Sequence, residues 1–110
     1  MNGPNILPRI VAYKGLDLQP ILEVVSGAFD WNDWDDIEFR CPSLFAARKL
    51  SDGKVEVLSS TRARILLENA LYASGTGATT YRYQVVVVSG SSAYPVPVGE
   101  GSFLLLDALS

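Results

Sequence analysis

The sequence predicts an α+β fold: one domain over residues 1–110, with a mixed or antiparallel sheet of four to six strands and two helices. Three observations predict it. Apolar residues make up 48% of the chain and charged residues 19%, which suits one packed core and not a disordered chain. Two stretches, residues 17–27 and 60–74, place apolar residues on one helical face between a capping side chain and a glycine. Two C-terminal runs, TTYRYQVVVV and SFLLLDAL, read as strands.

The elements follow in order. Ile6 to Tyr13 reads as a first strand, broken by Pro8. Asp17 is suited to cap a helix, Pro20 is tolerated in its first turn, and Ile21, Leu22, Val24 and Val25 form its apolar stripe up to Gly27. Asp30 is placed to cap a short turn that sets Trp31 and Trp34 three residues apart on one face. Ile37, Phe39 and Cys41 then alternate with Glu38 and Arg40, as in a strand that Pro42 ends. In FAARKLSDGKVEVLSS, Asp52-Gly53 predicts a two-residue hairpin turn that sets Leu50 opposite Val55, Lys49 opposite Glu56 and Arg48 opposite Val57. Ser60 or Thr61 is expected to cap a second helix running to Ser74. Its stripe is Ala63, Leu66, Leu67, Ala70 and Leu71, and Gly75 stops it. Residues 79–88 form a long strand, Ser89 to Ser92 a turn, and YPVPV an edge strand or extended loop because of Pro95 and Pro97. Gly99 to Gly101 is expected to turn the chain again before the last strand.

The first six elements, β-α-β-β-α-β, match a ferredoxin-like plait followed by C-terminal strands. Such a topology carries no function by itself. The last strands are apolar on both faces. Tyr81, Tyr83, Val85 and Val87 oppose Val86 and Val88, and Phe103 and Leu105 oppose Leu104 and Leu106. A half-solvated antiparallel strand alternates apolar with polar residues instead. Two helices cover one face of such a sheet. The other face is expected to curl on itself, to pack on a copy or a partner, or to be covered by the N-terminal segment and the Pro-containing arm, since each large side chain left wet forfeits about 1.5–3 kcal/mol.

Charge is segregated along the chain, whose net charge is −3. Asp17, Glu23, Asp30, Asp33, Asp35, Asp36 and Glu38 precede Arg40, Arg48, Lys49, Lys54, Arg62 and Arg64. The two segments either neutralise each other within one fold or form opposite poles that meet between subunits. The net acidity argues against nucleic acid as the main partner. No apolar run reaches the roughly 18–20 residues that span a bilayer, and MNGPNILPRI lacks a basic segment followed by an apolar core. With Cys41 as the sole cysteine, no disulfide forms within the chain, which suits a reducing compartment. A soluble protein that is cytoplasmic or virion-associated, and not secreted, is therefore expected.

Catalytic chemistry finds little purchase. The chain has no histidine, which removes histidine-based triads and dyads and the commonest zinc ligand. Cys41 shares the face of Ile37 and Phe39 and reads as an inert core thiol. The carboxylates of residues 30–38 break the EF-hand pattern, because Asp35 stands where that loop requires glycine. Gly75-Thr76-Gly77 follows a helix and opens a strand, the reverse of a phosphate-binding loop. No enzyme activity, cofactor or metal is expected. The expected role is a non-enzymatic protein-binding or assembly domain that associates with itself, such as a small structural component of a larger particle, or a small inhibitor. Its expected partner-binding residues are Trp31, Trp34, Asp33, Asp35, Asp36, Arg48, Lys49, Arg62 and Arg64. The alternative is a small-molecule or carbohydrate-binding module using Trp31, Trp34, Tyr81, Tyr83 and nearby carboxylates.

Overall fold

The computed structural model describes residues 5–25, 28–75, 77–89 and 94–107. These residues form an all-β fold, a sandwich or half-barrel, and not the predicted α+β arrangement with two helices. Nine strands occur in order: β1 Asn5–Ile6, β2 Ile10–Tyr13, β3 Ile21–Glu23, β4 Asp36–Cys41, β5 Phe45–Lys49, β6 Val55–Val57, β7 Arg62–Ile65, β8 Thr79–Val88 and β9 Val96–Leu106. The larger sheet runs β5-β4-β8-β9, with β1 and β2 both on the far side of β9. β1 and β2 lie parallel to β9, and the other pairings are antiparallel. The smaller sheet is antiparallel, in the order β3-β7-β6.

The smaller sheet supplies the cover that helices were expected to give. Leu22, Val24, Val55, Ala63 and Ile65 join Ile37, Phe39, Tyr83, Val85, Val87, Phe103 and Leu105 in one connected core. Where the first helix was expected, β3 alternates exposed Ile21 and Glu23 with buried Leu22, and Val24 continues the buried side. The β-branched Ile21 and Val24 favour that extended form. Gly27, the expected stop, lies outside the described residues. The second expected helix is overturned in the same way. Arg62 and Arg64 alternate with Ala63 and Ile65, and the helical reading had no place for Ile65, which is fully buried while Ala70 is exposed. Only a 3₁₀ turn, Asn69–Leu71, remains helical there. Asp17, the expected cap of the first helix, accepts from Asn69 N–H at 2.8 Å and so ties down that turn.

The predicted hairpin is a corner between sheets. A 3₁₀ turn, Leu50–Asp52, ends on Gly53 in the left-handed region at φ 73°. Gly53 N–H and Lys54 N–H donate to the Leu50 and Lys49 carbonyls at 2.9 and 3.0 Å. β5 then pairs with β4 and β6 with β7, so Lys49 faces Glu38 and Glu56 faces Arg64 instead of each other. The expected two-residue type I′ turn does not form, because Asp52 belongs to the 3₁₀ turn and Gly53 alone supplies a left-handed residue, and the chain leaves that turn for another layer.

Other expectations hold. Pro8 separates β1 from β2, β4 ends at Cys41 before Pro42, and β8 is a ten-residue strand. The expected turn at Ser89 to Ser92 falls mostly outside the described residues. The expected turn at Gly99 to Gly101 does not occur, because β9 runs straight through it. Gly101 instead permits a close approach: a Cβ there would lie 2.7 Å from the Tyr83 ring. Tyr83 is thereby fully buried, stacks on Phe39 at 4.9 Å and donates from its hydroxyl to the Pro8 carbonyl at 2.6 Å. Pro97 sits where β9 has not yet met β1, whose pairing begins at Gly99. It therefore lies at a local edge of the sheet, flanked by β8 on one side, where proline is tolerated.

Candidate functional site

The acidic, tryptophan-bearing stretch is a capped connector. Asp30 accepts from Asn32 N–H at 2.8 Å and caps the 3₁₀ turn Trp31–Asp33, as expected. Trp31 is 0% exposed, and its N–H donates to the Ser60 carbonyl, which pins the connector across to the smaller sheet. Phe29 meets Trp31 edge-on at 4.9 Å and stacks with half-buried Trp34 at 6.5 Å. Neither enclosed indole N–H has a hydrogen-bond partner among the described residues. Asp33 and Asp35 are exposed. Asp36 accepts from the Ser51 N–H and hydroxyl at 3.0 and 2.9 Å and from Ile37 N–H at 2.9 Å. Burial alone would push its carboxyl up, but those donors and the nearby Lys49 charge together hold it below the usual carboxylate range.

The basic residues expected to meet a partner are engaged within the chain. Arg62 pairs with Glu23 at 2.9 Å and Arg64 with Glu56 at 3.2 Å, on the outer face of the smaller sheet. Arg48 and Lys54 converge on Glu68 at 3.2 and 3.0 Å, and the Lys54 hydrogen bond and charge lower the Glu68 pKa. Lys49 faces Glu38 across β4, and Glu38 also pairs with Arg40 at 2.9 Å. The basic residues thus find carboxylates within the chain, but among the described residues only Arg62 with Glu23 and Arg40 with Glu38 pair directly across the two segments, while Glu56 and Glu68 serve Arg64, Arg48 and Lys54.

The aromatic residues suggested for a ligand are not gathered. Asp35 N–H binds the Val88 carbonyl, so Trp34 lies beside the end of β8. Tyr81 lies near its start, seven residues or about 23 Å away along the strand. Cys41 is fully buried, and burial pushes its thiol up to about 11, the behaviour of an inert core thiol. No helix of the described residues is long and apolar enough to cross a membrane, a statement that does not bear on strands.

The outer face of the larger sheet carries Val86, Val88, Leu104 and Leu106, the second apolar face expected from the sequence, together with Ile6, Val11, Arg82 and Glu100, which the sequence does not single out. Its pairings set side chains in rows across the strands. Ile6, Glu100, Gln84 and Arg40 form one row, Ser102 and Arg82 the next, then Val11, Leu104 and Thr80, then Tyr13 and Leu106. On the other side lie Pro97, Val86, Glu38 and Lys49. Val86 is 6% exposed, yet it stands outside the connected inner core. Ile6 is 92% and Val11 38% exposed, and Tyr13, Leu104 and Leu106 are half-buried. An open groove of about 380 Å³ is lined here by Ile6, Thr80, Arg82, Glu100 and Ser102, with Tyr81 and Gly101 in its floor. Among the described residues, neither Arg82 nor Glu100 has an ion partner, in contrast to Glu38 and Arg40 two strands away.

Comparison with known proteins finds no matching family model, no matching curated protein and no matching solved structure.

Proposed function

We propose that this chain is a non-enzymatic assembly domain that associates with copies of itself, as a small structural component of a larger particle. The observation that carries the reading is the unequal treatment of the larger sheet's two faces. The chain covers the inner face with its own second sheet, while the outer face keeps Ile6 and Val11 exposed and Leu104 and Leu106 half-buried. Val11, Leu104, Tyr13 and Leu106 lie together in two adjacent rows, and Ile6 lies beyond the polar row of Ser102 and Arg82; exposed apolar side chains set among polar ones are characteristic of protein interfaces. The N-terminal segment does not fold back over that face; it extends the sheet beside β9 and adds Ile6 and Val11 to it.

Native mass spectrometry and sedimentation, in low and high salt, test this reading. The expected result is a concentration-dependent dimer or higher closed species. A monomer at every salt and up to millimolar protein would remove it.

A further inference from the structure

We infer that the contact between copies is face to face, through the outer face of the larger sheet, and that it is organised by reciprocal pairing of Arg82 with Glu100 around a two-fold axis. The interface rests on the self-association proposed above and gives it a surface. Arg82 and Glu100 are diagonal neighbours: Arg82 opposes Ser102 and Glu100 opposes Gln84. Both line the same open groove, and neither has an ion partner among the described residues. A two-fold contact brings residue i of one copy to residue j of the other and j to i. One cation and one carboxylate, adjacent and unpaired, are the minimal self-complementary set for such a contact.

The same operation also matches the apolar residues. Take strands about 4.8 Å apart and about 6.8 Å for every two residues. An axis that bisects the line from Arg82 to Glu100 then carries Ile6 of one copy to the neighbourhood of Leu104 and Thr80 of the other. Leu104 is carried back towards Ile6. The most exposed large apolar side chain among the described residues thus falls on a half-buried leucine, and the contact is repeated by symmetry. Charge reciprocity and apolar coverage are independent features of the face, and one axis satisfies both.

Charge reversal tests the inference with three variants, Arg82→Glu, Glu100→Arg and the double swap R82E/E100R. Each is measured by sedimentation equilibrium beside the unmodified chain, with circular dichroism as a check of folding. Like charges brought together across an interface repel, so each single variant raises the dissociation constant by at least about tenfold. The double swap restores it to within about threefold, because the pairs are re-formed with reversed sign. Added salt weakens the unmodified dimer and the double swap alike. An unmodified chain that associates while the single variants leave the constant unchanged overturns this interface but leaves self-association standing. That outcome would direct attention to the β3 edge, where Ile21 and Val25 are exposed. Failure of the double swap to recover what both singles lose also overturns it. A monomeric unmodified chain removes the self-association reading, and the interface falls with it.

Discussion

Strand β8 presents two faces that differ in residue type and in cover. Tyr83, Val85 and Val87 point inward and are fully buried in one core shared with residues of β3, β6, β7 and the Trp31 connector. Thr80, Arg82 and Gln84 point outward and are exposed, while Val86 is hidden on that side, apart from the core. The next strand repeats the contrast, with Phe103 and Leu105 enclosed and Leu104 and Leu106 half-open. A single parity of residues therefore decides whether a side chain serves folding or remains available for contact. The inward parity is satisfied within one chain. The outward parity has apolar and charged groups that one chain leaves incompletely covered.

Substitutions on the two faces sharpen or break that division. The largest effect is expected at Phe103→Ala, which empties a fully buried ring site in contact with Phe45 and Tyr72. Truncation of this kind costs about 3–5 kcal/mol, a large share of the roughly 5–15 kcal/mol that holds a domain together. Urea unfolding would report it as a shift in midpoint at nearly constant slope. Gly101→Ala follows. Its Cβ would meet the Tyr83 ring at 2.7 Å, and overpacking costs about 1–3 kcal/mol. The companion change Tyr83→Leu should relieve part of that cost, which a double-mutant cycle would show.

Asp36→Ala comes next and acts through pH. The folded carboxyl is held below its ordinary value by Ser51, Ile37 and Lys49, against the opposing effect of burial. Its contribution is therefore present above the unfolded pKa of about 3.9 and is lost as pH falls through the lower folded value. Loss of its charged hydrogen bonds should cost about 1–2 kcal/mol near neutrality. The variant should also lose less stability than the parent between about pH 5 and pH 2, which acid titration of the unfolding midpoint would detect. The smallest effect on stability belongs to the outer face. Leu104→Ser should change unfolding free energy by less than about 1 kcal/mol, because the side chain is only half-buried. The same change should measurably lower the oligomer fraction. A large loss of stability with no change in association would place Leu104 in the folding parity and break the comparison.

The parity itself was legible in the sequence, and much of the fold was not. Tyr81, Tyr83, Val85 and Val87 were separable from Val86 and Val88 by alternation alone, and the Asp30 cap and the Pro8 break followed from local chemistry. Residues 62–65 carried an equally plain alternation, Arg-Ala-Arg-Ile. The leucines and alanines that follow it also fit a helical stripe, and three more apolar residues in that spacing outweighed it. A short apolar run fits both periods, and burial against the facing sheet decides between them. Gly53 was recognisable as a turn, but the choice between a hairpin and a corner depends on β5 pairing back with β4 and β6 pairing on with β7, which the turn residues do not encode. For the site, the charged segments were conspicuous in the sequence, but the basic residues pair within the chain, mostly with Glu56 and Glu68 outside the acidic segment. The β8–β9 pairing sets Arg82, Glu100 and Leu104 on one face, but Ile6 joins them only through the parallel pairing of β1 with β9, a register between residues more than ninety positions apart. No local pattern encodes it.

The most direct test of the divided sheet is amide and methyl chemical-shift mapping by nuclear magnetic resonance across a dilution series. The expected result is concentration-dependent shifts confined to the outward residues of β8, β9, β1 and β2, centred on Arg82 and Glu100, with Tyr83, Val85 and Phe103 unmoved. Shifts centred instead on the Trp31–Trp34 connector or the β3 edge, or none at any concentration, would contradict it.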